Sequence, residues 1–196
     1  MANFIDEFLK SMGPQVSKEM SSKLKINEDT AQQIVPQVIP MILGGLKKQK
    51  DERGGDARVD HILNKYGSQD VLNDVPGLFS KVEQESNPDP TLGGLLGDAG
   101  TQASNLFGKQ FSLDSGLVSK IIPMVAPLVL GALTKKRDTD GAGSSGIGAL
   151  LDQDGDGSVL DDVGGFLMQG LGGGSTKQKS GGLLGGLLGG LFGKKR

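Results

Sequence analysis

Between Leu151 and Val163 the chain reads Asp152-Gln153-Asp154-Gly155-Asp156-Gly157-Ser158-Val159-Leu160-Asp161-Asp162, the pattern D-x-D-x-D-G followed by further carboxylates. Calcium takes about six to eight hard oxygen ligands, and acids at loop positions one, three and five converge on one point when glycine at position six permits the sharp turn. Gly157 stands in that place. Ser158 would add a backbone carbonyl, Val159 fills the apolar position that anchors such a loop to a core, and Asp161 or Asp162 closes the shell. The expected ligand set is therefore Asp152, Asp154, Asp156, Ser158, Asp161 and Asp162, and the expected ion is Ca2+.

Position twelve, where a full EF-hand carries a bidentate Glu, is Val163. The shell must close early, in an arrangement similar to shortened calcium loops of the Excalibur and dockerin-like kinds. Binding without that Glu is weaker, and Mg2+ competes if the loop tolerates its tighter octahedral geometry. The plainer alternative is an acidic turn in which Asp156 or Ser158 caps the following helix and Asp161 or Asp162 favours its dipole. Carboxylates this crowded repel one another unless a cation lies among them, which favours the ion.

The elements that must position this loop are marked by self-similarity. Ile34-Val35-Pro36-Gln37-Val38-Ile39-Pro40-Met41-Ile42-Leu43-Gly44-Gly45-Leu46 recurs 87 residues later as Ile121-Ile122-Pro123-Met124-Val125-Ala126-Pro127-Leu128-Val129-Leu130-Gly131-Ala132-Leu133. With one further residue inserted, Val71-Leu72-Asn73-Asp74-Val75 aligns with Val159-Leu160-Asp161-Asp162-Val163. The segment Asn64-Lys65-Tyr66-Gly67-Ser68-Gln69-Asp70 is then the first copy's version of the acidic loop, with its apolar frame but without the acid triplet or the position-six glycine. In each copy a polar cap residue, Asn27 or Asp114, precedes a helix that contains two prolines. An interior proline costs about 3 kcal/mol against alanine, but spacing of i and i+4 gathers both rings on one face of a curved helix. The aliphatic flanks make each such helix a core element; a proline hinge that moves with a ligand is the other reading. Lys47-Lys48 and Lys135-Lys136-Arg137 follow these helices and suit their C-terminal dipoles, with anionic lipid as the alternative partner.

The expected architecture is all-α and multihelical, a tandem duplication of a Pro-kinked unit: residues 1–80 form the first repeat, 81–100 a linker, 101–170 the second repeat with the acidic loop, and 171–196 a Gly/Leu-rich tail. In the tail, Gly185, Gly189 and Gly193 alternate with Leu183, Leu187 and Leu191 at a four-residue period. Glycine costs about 1 kcal/mol per helical position, so the tail is disordered or helical only against a surface. Thirteen helical residues reach about 20 Å, short of a ~30 Å hydrocarbon core. With Lys194, Lys195 and Arg196 at its end, it suits peripheral membrane attachment or assembly into a homo-oligomer.

Composition sets the remaining bounds. Seven Phe, one Tyr and no Trp leave the core to aliphatic side chains. A net charge of −2 gives no general attraction to nucleic acid. The absence of cysteine excludes disulfides, thiolate metal sites and a cysteine nucleophile. No cleavable signal is visible after Met1, so the expected location is the cytoplasm, with peripheral membrane contact through the tail. No stretch is expected to meet the ~20 apolar residues of a membrane span, because proline, glycine and lysine interrupt each candidate. There is no phosphate-cradling loop, nucleophile elbow or zinc spacing, and His61 stands alone as a surface or packing residue. No catalytic residue and no small-molecule substrate are assigned. A metal-assisted enzyme built on Asp152, Asp154 or Asp161 is the remaining catalytic alternative, and an oligomerising protein with no metal is the structural one.

The Pro-marked helices, the Leu150–Asp162 block and the Gly/Leu tail together resemble the bacterial domain-of-unknown-function family 937, which includes the YidB-like proteins. The resemblance covers most of the chain. It implies a multihelical all-α fold and no established activity, and it brings no agreed catalytic residues.

Overall fold

Asn27 and Asp114 each start a helix by the same device, a side-chain oxygen that accepts from a free first-turn amide. Asn27 Oδ1 takes the Asp29 N–H at 2.8 Å and Asp114 Oδ1 takes the Leu117 N–H at 2.9 Å. The computed structural model describes residues 4–84 and 107–140, and these are overwhelmingly helical, with no strand among them.

The chain enters through α1 (Phe4–Ser11) and α2 (Gly13–Leu24). Phe4 and Phe8 share the buried face of α1, one turn apart, and Pro14 occupies the first turn of α2, where its missing N–H costs nothing. Lys25, at φ 54°, ends α2 in the left-handed region. Then α3 (Glu28–Arg53) runs unbroken through Pro36 and Pro40. Gly54 and Gly55, at φ 129° and 64°, turn the chain sharply into α4 (Gly55–Tyr66), a path that side chains resist. A 3-10 turn (Gln69–Leu72) leads to α5 (Val75–Gln84), whose Gly77 N–H is capped by Asp74 Oδ1 at 2.9 Å. Residues 107–111 are helical, and α6 (Ser115–Asp140) runs unbroken through Pro123 and Pro127.

The two Pro-marked helices begin 87 residues apart, at Glu28 and Ser115, and carry their prolines at the same offset. They pack directly on each other. Around them α2, α4 and α1 lie on α3, while the 3-10 turn, α4, α5 and α2 lie on α6. One hydrophobic core results, from Phe8 and Met20 through Ile39 and Phe79 to Phe107, Met124 and Leu133. Every residue from Ile121 to Gly131 is buried.

The expectation that no segment has the length and apolarity of a membrane span is corrected by α6. Its stretch Ser115–Thr139, 25 residues, is long and apolar enough to cross a bilayer by length and composition, the one such helix among the described residues. The prolines leave the helix continuous, and Lys120 is the single charge between Ser115 and Thr134. Its surroundings account for the apolarity: 72% of the apolar window is buried inside the protein, as befits a central helix of a multihelical core.

A close approach of backbone and side chain joins the two halves of the chain. A β-carbon placed on Gly67, just after α4, would lie 2.6 Å from Thr134 Oγ1 and 2.8 Å from the Leu130 carbonyl oxygen of α6. One placed on Gly131 would lie 2.7 Å from the Ser68 carbonyl oxygen and 3.2 Å from Val71 Cγ2. Glycine in mid-helix ordinarily weakens the helix by about 1 kcal/mol relative to alanine. At Gly131 the smaller residue is required because backbone lies against it, and backbone yields little. Gly131→Ala is therefore expected to destabilise by roughly 1–3 kcal/mol in urea unfolding, whereas Gly13→Ala, whose β-carbon would meet only Leu9 at 3.7 Å, should leave stability unchanged or raise it slightly. Equal stability gains from both substitutions would show that the contact at Gly131 is not tight.

Candidate functional site

Asp152, Asp154, Asp156, Ser158, Asp161 and Asp162 lie outside the described residues, as does the Gly/Leu tail. The loop aligned with them in the first half, residues 64–74, lies within. Ser68 and Asp74 spend their side-chain oxygens on local bonds. Ser68 Oγ caps the 3-10 turn by accepting the Asp70 N–H at 3.3 Å and lies 3.2 Å from Asp70 Oδ2. Asp74 is committed to the start of α5. Asn64, aligned with Asp152, points to α6, where its Oδ1 accepts from an Arg137 guanidinium nitrogen at 3.1 Å. Among the described residues no group of three or more His, Asp or Glu side chains is gathered as a metal shell would require.

The loop therefore meets a cation supplied by the protein itself. Arg137 places Nη1 3.0 Å from Asp60 Oδ1 and 3.1 Å from Asn64 Oδ1, both on α4, while its Nε lies 2.9 Å from Asp138 Oδ1. Gln69 Nε2 adds a bond to Asp138 Oδ2 at 2.9 Å. The Arg137 side chain is only 14% exposed. Burial works against its charged form, but bonds to Asp138 and Asp60 outweigh that penalty and raise its pKa above the usual arginine value. The guanidinium fork thus ties the end of α6 to α4 and, through Asp138, to the 3-10 turn. One residue earlier, Lys136 Nζ reaches Glu7 Oε2 on α1 at 3.2 Å.

Arg137 stands in the last turn of α6, where the helix dipole favours a cation, and it pairs across the fold as well. Arg137 and Lys136 hold together elements remote in sequence, and Lys47 meets Asp51 at 2.6 Å on its own helix. Lys48, 49% exposed and 4.0 Å from Glu52, keeps the character of a solvated surface charge. His61 is exposed on α4. Neither Asp60 nor Asn64 carries a sequence signal that would couple it to Arg137, because the partners lie more than seventy positions away.

Arg137→Met should lower stability by about 1–3 kcal/mol in urea unfolding, since Asp60 and Asp138 lose a largely buried partner. Arg137→Lys should recover only part of the loss, because a single ammonium cannot reach α4 and Asp138 together as the planar fork does. Full recovery by lysine would reduce the arrangement to simple charge attraction.

Comparison with known proteins adds the lineage. A family model described as a bacterial protein of unknown function (DUF937) matches residues 6–137, from α1 to the Arg137 clamp, and the match ends before Asp152. No curated protein and no solved structure matches the chain. The span that carries the shared core and its closing ion pairs is the span the family defines, and the chain belongs to the DUF937 family of bacterial proteins.

Proposed function

We propose that this is a non-enzymatic helical module, a tandem duplication whose second loop binds Ca2+ through Asp152, Asp154, Asp156, Ser158 and Asp161 or Asp162, and whose tail meets a membrane surface or a second copy. The observation that carries the ion is the spacing of three carboxylates at alternate positions before Gly157. The duplication is supported by the like caps and the like proline positions of α3 and α6. It is further supported by the cation lodged at the aligned first loop, where Arg137 meets Asn64. A loop with aspartates in place of Asn64 and Ser68 gathers more negative charge than one guanidinium neutralises, and a divalent ion answers that excess. Mg2+ is the competing occupant.

A ligand that binds only the folded state raises its melting midpoint, by about 2.7 kcal/mol of stability at a hundredfold excess over the dissociation constant. Thermal melts of the full chain in calcium and in chelator should therefore differ by several degrees, and Asp152→Asn with Asp154→Asn should abolish the difference. Identical melts would remove the ion from this reading and leave an oligomerising protein without metal. For the tail, flotation with anionic liposomes should carry the full chain upward and leave behind a chain ending at Gly174; equal flotation of the two would exclude the tail as the lipid contact, and sedimentation of both would then report whether it joins copies instead.

A further inference from the structure

We draw no further inference here: the strongest candidate, the half-buried face of α3 at Gln37, Met41 and Gly44, carries nothing, because nothing among the described residues shows what covers it.

Discussion

A helix buried along eleven consecutive residues must be covered by neighbours on every side, and that demand organises the described fold. From Ile121 to Gly131, α6 offers no face to water. Its prolines intensify the demand. Pro127 has no N–H to give to the carbonyl four residues earlier, which belongs to Pro123, so the missing bond falls in the middle of the buried stretch. The same arithmetic applies to Pro40 and Pro36 in α3. Spacing of four puts both losses on one side of each helix and leaves the remaining ladder to hold it straight enough to pack. Aliphatic side chains supply the cover, and where the cover is backbone rather than side chain the helix becomes glycine, as at Gly131.

The polar ends of α6 fix what the apolar middle leaves undetermined. Apolar burial is non-directional, and a helix within a core can slide or rotate at modest cost. At one end Asp114 caps the first turn. At the other, Arg137 and Lys136 reach three different elements, α4, the 3-10 turn by way of Asp138, and α1. The planar guanidinium accepts few arrangements of its partners, so it specifies register where the aliphatic contacts cannot. It also supplies a positive charge beside the loop that aligns in sequence with the acidic segment Asp152–Asp162.

Much of this architecture is legible in the sequence. The caps at Asn27 and Asp114, the runs through the paired prolines and the all-helical composition all express local rules, and the helices start where those rules place them. Three features were not legible. Arg137 reads as one of several basic residues at a helix end, because nothing near it in sequence announces Asp60 or Asn64. The need for Gly67 is not visible in sequence, since its backbone is at φ −100°, open to any residue; it comes from the proximity of Thr134 and Leu130. The apolar length of α6 is masked in sequence because proline and glycine ordinarily interrupt helices, whereas here the tertiary surroundings outweigh local propensity. The candidate ligands from Asp152 to Asp162 stand apart from all three, since they lie beyond the described residues.

The bond from Glu7 to Lys136 spans 129 positions, and it sets an order of events during synthesis. The first half leaves the ribosome with the surfaces of α2, α4, α5 and the 3-10 turn that later cover α6 still lacking their partner. They cannot close until α6 has been made, because the helix they enclose follows them in the chain. A nascent chain in that state presents aliphatic surface to its surroundings for the whole interval. Slower translation ahead of α6 should lengthen that exposure, so the vulnerable period of this protein lies in its assembly rather than in its finished form.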